Sequence, residues 1–151
     1  MEQIIQLNSG AKLSPHFTLG ELTKSSSHPD IYNVPTHEAI ENLKHVCTWL
    51  EVLRERSGGP VVINSGYRSP QLNRAVGGAS NSNHLTGCAV DIRVTGFEQV
   101  IRYAAILLDY ADESGQEFDE LLVERNRFGA IWLHFAVRFR GNRHKVLYIN
   151  A

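Results

Sequence analysis

Several residue types and patterns are scarce in this chain of 151 residues. Two cysteines are too few for a disulfide scaffold or a four-cysteine zinc site, although one Cys47–Cys88 disulfide would satisfy the count. The 15 lysines and arginines nearly balance the 16 aspartates and glutamates. The chain therefore has no net positive charge that would predict nucleic acid or an anionic membrane surface as a partner. The sequence contains no apolar run of about 18 residues, so no membrane span is expected.

The chain also lacks internal repeats, low-complexity segments and recognisable linkers, which argues against several domains. We expect residues 1–12 to form an N-terminal arm and residues 13–151 to form one domain. The hydrophobic fraction of 42% is ordinary for a globular protein of this length. The first seven residues lack the basic segment and the apolar core of a secretory signal.

Apolar periodicity predicts the main elements. Residues at spacings of three and four predict two amphipathic helices, one over 36–57 and one over 97–110. A capping-box pattern at Thr18 and Glu21 predicts a short helix ending near Lys24. Short apolar and β-branched runs predict strands at 60–65, 88–94, 118–124, 130–139 and 146–149. The sequence therefore predicts an α+β fold, in which a small antiparallel sheet is packed by two longer helices.

Three candidate metal ligands lie in or beside apolar segments. His84 and Asp91 are seven residues apart, and His134 lies within the apolar run 131–137. A carboxylate in a buried strand is costly unless a cation or hydrogen bonds compensate it. Two imidazoles and one carboxylate suit zinc and leave a fourth position open, as in catalytic sites. Alternatively, His134 is a hydrogen-bonded core histidine, or Cys88 is the metal ligand.

The neighbouring residues carry a resemblance to a known family. Ser-Gly-Tyr-Arg occupies 65–68, Ser-Asn-His occupies 82–84, Gly-Cys-Ala-Val-Asp occupies 87–91, and Trp-Leu-His occupies 132–134. Together these stretches resemble the zinc D-Ala-D-Ala carboxypeptidase family of metallopeptidases, whose relatives include phage L-Ala-D-Glu endolysins. The opening stretch 13–22 resembles the compact branch of that family found at the C-terminus of wall-lytic proteins.

This resemblance implies a fold like that of D,D-peptidases and the hedgehog signalling domain. It implies one zinc ion per chain, held by His84, Asp91 and His134, and hydrolysis of peptidoglycan stem peptides. A D,D-carboxypeptidase and an L-Ala-D-Glu endopeptidase are both compatible with it. Because no secretory signal is recognised, we expect an enzyme that is made in the cytoplasm and acts on the cell wall. A phage- or prophage-encoded endolysin, which is released at lysis, would meet this expectation. We expect a monomer with no nucleic-acid or membrane partner.

The resemblance also suggests catalytic roles. Arg68 would polarise the scissile carbonyl or stabilise the oxyanion, whereas its structural alternative is to tie a loop to a carboxylate. Many relatives carry an acid three residues before the last ligand, where this chain has Ile131. The general base is then expected to be Glu124, at the end of an apolar strand. The alternatives are that Asp119 or Glu120 is the base, or that no base is present.

Three further residues are predicted to contact the substrate, namely Ser82, Tyr67 and Gln71. For Ser82, ordering of the ligand loop is the alternative role, and for Tyr67 and Gln71 the alternative is loop packing and positioning. Because of Ile131, a second hypothesis for the whole chain is a non-catalytic binding or structural module that retains zinc. A third hypothesis is a metal-free structural protein of a phage particle.

Overall fold

A computed structural model describes residues 9–150 of the chain. The strands are β1 (Lys12–Ser14), β2 (Phe17–Thr18), β3 (Ile63–Ser65), β4 (Ala89–Arg93), β5 (Glu120–Arg125), β6 (Ile131–Ala136) and β7 (Lys145–Asn150). The helices are α1 (Leu19–Thr23), α2 (His37–Ser57), α3 (Pro70–Ala75) and α4 (Phe97–Ser114), with a 3-10 helix, η1 (Asn83–Thr86). The α+β class is confirmed. Most of the expected arm, residues 1–8, lies outside the described residues.

Both long helices form where periodicity predicts them. The Thr36 hydroxyl caps α2 by accepting a hydrogen bond from the Ala39 N–H, and α2 ends at Ser57 and is followed by Gly58, whose φ of 77° suits glycine. The apolar stripe of α2 is buried, as expected. The predicted capping box at Thr18 is present at the start of α1. Helix α4 ends at Ser114, four residues beyond its predicted end.

The main sheet has the strand order β3-β4-β6-β5-β7. The first three pairings are antiparallel, but β7 lies parallel to β5, so the prediction of an antiparallel sheet is wrong at this edge. After β6 the chain returns to the start of β5 before it enters β7. There the His144 N–H donates to the Phe118 carbonyl (3.0 Å) and the Lys145 N–H donates to the Asp119 carbonyl (2.9 Å). Strand β7 therefore runs in the same direction as β5.

The two faces of this sheet have different roles, because side chains alternate along a strand. One face is apolar and packs into the core with α2 and α4; its buried members include Val90, Ile92, Leu121, Leu133 and Phe135. In that core Trp49 of α2 makes ring contacts with Phe118 and Phe135. The opposite face carries Asp91, His134 and the acidic residues of β5. It holds the site described below.

Both cysteines are free and buried, so the chain contains no Cys47–Cys88 disulfide. Burial raises the pKa of the Cys47 thiol to about 12 and also raises the pKa of Cys88. Neither thiol is therefore activated. Among the described residues, no helix combines the length and apolar character that a membrane crossing requires.

Candidate metal centre

Three elements bring His84, Asp91 and His134 together. Asp91 of β4 lies directly opposite His134 of β6 in the antiparallel register, and η1 supplies His84. Asp91 Oδ1 lies 3.3 Å from His84 Nε2 and 3.0 Å from His134 Nδ1. One ligand atom from each residue lies within 4.8 Å of the others, and all three residues are buried. The group found among the described residues does not include Cys88.

The orientation of His84 is fixed by its surroundings. Its Nδ1 donates a hydrogen bond to the Gly66 carbonyl (2.7 Å), which leaves Nε2 free to bind a cation. Its backbone N–H donates to Ser82 Oγ (3.1 Å), so Ser82 orders the start of η1. Gly66 is required here because a Cβ at that position would overlap the Leu22 carbonyl. The Ser-Gly-Tyr-Arg stretch thus supports a ligand through its backbone.

His134 is oriented by a carboxylate behind it. Its Nε2 donates to Glu120 Oε1 (3.0 Å), while Nδ1 faces Asp91. Glu120 Oε1 also accepts a hydrogen bond from Asn83 Nδ2 (2.7 Å). A carboxylate behind a metal-binding imidazole fixes its ring and raises its basicity. Glu120 is therefore a positioning residue for His134.

The charges around these ligands favour a cation. Burial lowers the pKa of His134, but hydrogen bonds to Asp91 and Glu120 outweigh it and raise this pKa to about 10. Burial alone would raise the pKa of Asp91, but the His84 charge and hydrogen bonds from both histidines hold it far below its ordinary range. The carboxylates of Asp91 and Glu120 thus create a negative field at His134 that attracts positive charge. An imidazole binds a metal in its neutral form, so a divalent ion at this site would displace the proton that these carboxylates stabilise.

Arg68 contacts the other oxygen of Asp91. Its Nη2 donates to Asp91 Oδ2 (3.1 Å), its Nε to Ser65 Oγ (3.1 Å) and its Nη1 to Asn73 Oδ1 (3.3 Å). These contacts match the structural alternative, in which Arg68 ties a loop to a carboxylate. A guanidinium has five N–H groups, so one on Nη1 and one on Nη2 are not used in these three bonds. Arg68 also lines the cavity over the ligands.

Glu124 lies on the ligand face of β5. The antiparallel register pairs Leu122 with His134 and Glu124 with Trp132, which puts Glu124 on the same face as His134. Glu124 Oε1 lies 4.0 Å from His134 Nδ1. Burial, together with the charge of Asp91, raises the pKa of Glu124. Such a carboxyl group, next to the ligand atoms and with a raised pKa, is suited to proton transfer.

The other two acids considered as a base are engaged elsewhere. Asp119 is fully buried and accepts hydrogen bonds from Arg143 N (2.9 Å), Nε (3.0 Å) and Nη2 (2.8 Å). Burial would raise the pKa of Asp119, but these bonds and one from Asn83 lower it to about 2. Asp119 is therefore a fixed anion, and Glu120 is occupied by His134. Of Asp119, Glu120 and Glu124, it is Glu124 whose carboxylate is available to accept a proton next to the ligand atoms.

The side chain three residues before His134 points away from the ligands in this chain. Residues an odd number of positions apart point to opposite faces of a strand, so Ile131 lies on the face opposite to His134. Its side chain packs against the hydrophobic core. An acid at 131 on this strand would lie on the face away from the ligands. The apolar residue there is therefore consistent with a base on β5.

A cavity of about 300 Å³ opens over the three ligands. The predicted catalytic residues Arg68 and Glu124 line it, and so does Ser82, one of the three predicted substrate contacts. Tyr67 is instead buried in the hydrophobic core, and Gln71 is exposed on α3; neither lines the cavity. The structure thus does not bring these two predicted substrate contacts to the site.

Several cavity residues were missed by the sequence analysis. They are Asn83, Leu122, Arg143 and Lys145, together with the positioning role of Glu120. Asn83 lies inside the Ser-Asn-His stretch, so its place next to His84 is a signal that could have identified it. Arg143 and Lys145 have no such signal, because they reach the cavity only through the parallel pairing of β7 with β5.

Comparisons with known proteins identify sequence relatives of this chain. The sequence model of the peptidase M15 family, described as "Peptidase M15", matches residues 15–118, which include His84 and Asp91. The zinc D-Ala-D-Ala carboxypeptidase of Streptomyces albus G is 34% identical over 91 residues, covering 60% of this chain. The aligned part is 36% of that relative, so the chain spans about a third of its length.

A similarity to a solved structure was also found. The crystal structure of Serratia marcescens L-Ala D-Glu endopeptidase ChiX aligns with a TM-score of 0.45 and 22% sequence identity, covering 75% of this chain and 96% of that one. The family assignment does not depend on that alignment. The family match extends over more than half of the 151 residues, and it confirms the resemblance recognised in the sequence. This chain belongs to the peptidase M15 family.

Proposed function

We propose that this chain is a zinc-dependent peptidase that hydrolyses peptidoglycan stem peptides. One observation carries the proposal: three buried ligand atoms converge within 4.8 Å of one another at the floor of a cavity that also contains Glu124. Membership of a peptidase family supports the reaction class. The name of the Streptomyces relative, a zinc D-Ala-D-Ala carboxypeptidase, supports the metal and the kind of substrate.

The donor set fits zinc. His84, Asp91 and His134 would hold one ion per chain through two imidazole nitrogens and one carboxylate oxygen, a combination that zinc accepts in catalytic sites. Zinc bound there would supply a Lewis acid that lowers the pKa of water and polarises a carbonyl group. All three ligands and their supporting residues come from one chain, which is consistent with action as a monomer.

Glu124 is proposed as the general base. Its carboxylate would accept the proton of the attacking water and later deliver it to the leaving amine. Its raised pKa supports both directions of transfer, because the protonated and ionised forms differ less in free energy near neutral pH. No other acid of β5 is free for this role.

Arg68 is proposed to act on the substrate as well as on Asp91. Its contact with Asp91 Oδ2 fixes the carboxylate so that Oδ1 faces the two histidines. The N–H groups left over from its three hydrogen bonds would donate to the oxyanion that develops during hydrolysis. Ser82 supports His84 through the loop backbone, which favours its ordering role over direct substrate contact.

The proposed substrate is a stem peptide in the cell wall, and the bond is of the D-Ala-D-Ala or the L-Ala-D-Glu type. Purified peptidoglycan fragments incubated with zinc-loaded protein, and analysed by mass spectrometry, test this proposal. Loss of a terminal alanine would identify a carboxypeptidase, and a cut after the first stem residue would identify an endopeptidase. A chelated sample and the Glu124→Gln variant are the controls. No cleavage at one zinc per chain would favour a zinc-containing binding module instead.

A further inference from the structure

Two basic residues that the proposed mechanism does not use lie at one end of the cavity. Arg143 and Lys145 line it together with the metal ligands. In the strand order β3-β4-β6-β5-β7 they lie on the β7 side, whereas Arg68 lies on the β3 side. We propose that Arg143 and Lys145 form a subsite that binds a free carboxylate of the peptide substrate. This inference rests on the proposed function and extends it by naming the chemistry that the substrate must carry.

The sheet sets the distance between this subsite and the metal ligands. His134 lies on β6, and Lys145 lies on β7, two strands away. Neighbouring strands are separated by about 4.8 Å, so the backbones are about 10 Å apart across the sheet. Lys145 pairs with Glu120 in the parallel register, which places both side chains on the face of His134. The basic end and the metal end therefore open into the same cavity.

The charges of the two residues are only partly used within the protein. Arg143 directs Nε and Nη2 to the buried Asp119, with Nη2 3.6 Å from Glu120 Oε2, so its Nη1 group is not used in these contacts. Its side chain is 45% exposed. Within residues 9–150, no carboxylate oxygen lies within 4.0 Å of the Lys145 ammonium, although Glu120 is its neighbour across the strands. Asp119 and Glu120 meanwhile have partners of their own, including Asn83 and His134.

The backbone between the two basic residues is held in an unusual conformation. His144 has a φ of 53°, in the left-handed region that residues other than glycine rarely adopt. Its ring contacts the ring of Phe118 in a tilted arrangement with 4.5 Å between centroids, and its N–H donates to the Phe118 carbonyl. These contacts fix the direction in which Arg143 and Lys145 leave the backbone. Asp119 in addition holds the Arg143 guanidinium in place before a substrate binds, which lowers the entropic cost of binding a carboxylate there.

The space between the two ends suits an extended peptide. Leu122 lines the cavity floor, and its register partner Leu147 continues this apolar surface onto β7. An extended chain advances about 3.3 Å per residue, so about three residues cover the 10 Å between the metal ligands and the subsite. The carboxylate that is recognised should therefore lie about three residues from the scissile carbonyl. A guanidinium and an ammonium together provide charged donors for both of its oxygens.

A pair of matched peptides tests the subsite. Two synthetic stem pentapeptides are compared, one with every internal carboxyl group free and one with every internal carboxyl group amidated. We expect the zinc-loaded wild type to prefer the free form about 10-fold or more in kcat/KM, the effect of one charged hydrogen bond. Lys145→Gln should reduce this preference about 10-fold, mainly through KM. Lys44→Gln removes the same charge from exposed α2 and should keep the preference.

Arg143 requires a milder change, because Asp119 would otherwise keep a buried charge without its partner. Arg143→Lys retains the positive charge but loses the planar guanidinium. We expect it to lower the preference for the peptide with free carboxyl groups several-fold. An unchanged thermal midpoint is the control for folding. Equal preference in the wild type, Lys145→Gln and Arg143→Lys would overturn the subsite.

Measurements of peptide binding test the subsite independently of the proposed hydrolysis. The dissociation constants of both labelled peptides are measured by fluorescence anisotropy in Glu124→Gln, with and without Lys145→Gln. The subsite is supported if the protein binds the peptide with free carboxyl groups more tightly and Lys145→Gln removes this preference. This conclusion holds even if the wild type cleaves neither peptide, and in that case only the proposed function fails. An unchanged ratio of dissociation constants, or no binding of either peptide at millimolar concentration, overturns the subsite.

Discussion

Replacing Glu124 with glutamine tests the proposed base with little disturbance of the structure. Glutamine has nearly the same shape as glutamate but cannot accept a proton at neutral pH. The three ligand residues are not altered by this change. Burial and the charge of Asp91 already disfavour the ionised form of Glu124, so a neutral amide at this position should be tolerated. We expect the free energy of unfolding to change by less than about 1 kcal/mol.

The expected effect on turnover is much larger. A positioned general base contributes about 10²- to 10⁴-fold to a hydrolysis rate. A loss of this size raises the barrier by about 3 to 5 kcal/mol. Because Glu124 faces the ligand atoms, with Oε1 4.0 Å from His134 Nδ1, the loss should appear in kcat and not mainly in KM. Zinc content should remain at one ion per chain.

Turnover is measured by chromatography of stem-peptide products, and zinc by elemental analysis of the same samples. Glu117→Gln, a matched change at an exposed position, should behave as the wild type. Unchanged kcat in Glu124→Gln would show that another group accepts the proton. Loss of zinc in this variant would instead make Glu124 a metal ligand, and the reasoning from the β5 register would fail in that case too.

Three further outcomes follow from the contacts of the site. His134→Ala should lose stoichiometric zinc, whereas His28→Ala, outside the site, should keep it; full retention of zinc by His134→Ala would contradict the ligand set. Arg68→Ala should lower kcat roughly 10- to 100-fold with the fold intact, because the developing oxyanion loses a charged donor and Asp91 loses a charged hydrogen bond; normal kinetics would make this arginine structural. Asp119→Ala should cost about 1 to 3 kcal/mol of stability, since it removes the buried acceptor of the hydrogen bonds from Arg143 and Asn83. The folded-state pKa of Asp119, about 2, lies below its ordinary value, so its contribution is present above about pH 4 and is lost as pH falls towards 2. The difference in thermal midpoint between the wild type and Asp119→Ala should therefore narrow over that interval; a constant difference would refute the assignment.

Local patterns in the sequence determined much of the protein. Apolar spacing over 36–57 predicted α2, because a helix that packs on a core must repeat its apolar face every three to four residues. The capping pattern at Thr18 predicted the start of α1 for a similarly local reason. The candidate ligands His84, Asp91 and His134 were also recognisable. Polar residues in or beside apolar segments are costly to bury without a partner, and the surrounding motif resembles that of the zinc D-Ala-D-Ala carboxypeptidase family.

Other features depended on which segments pair in three dimensions. The sequence did not determine on which face of β5 Glu124 lies, because a shift of one residue in the register would reverse it. Tertiary pairing put Glu124 next to His134, and it put Ile131 in the core. Likewise, the position of Tyr67 in the core was decided by packing rather than by its motif.

The sequence by itself therefore determined which residues are candidate ligands and which segments are helices and strands, because these depend on residue type and local spacing. The tertiary structure alone decided how the other charged groups are used. Glu120 supports His134 and Arg68 holds Asp91 only because β4, β5 and β6 align. The parallel return of β7 brought Lys145 to the cavity, and contacts between residues distant in sequence leave no local periodicity from which such a pairing could be predicted.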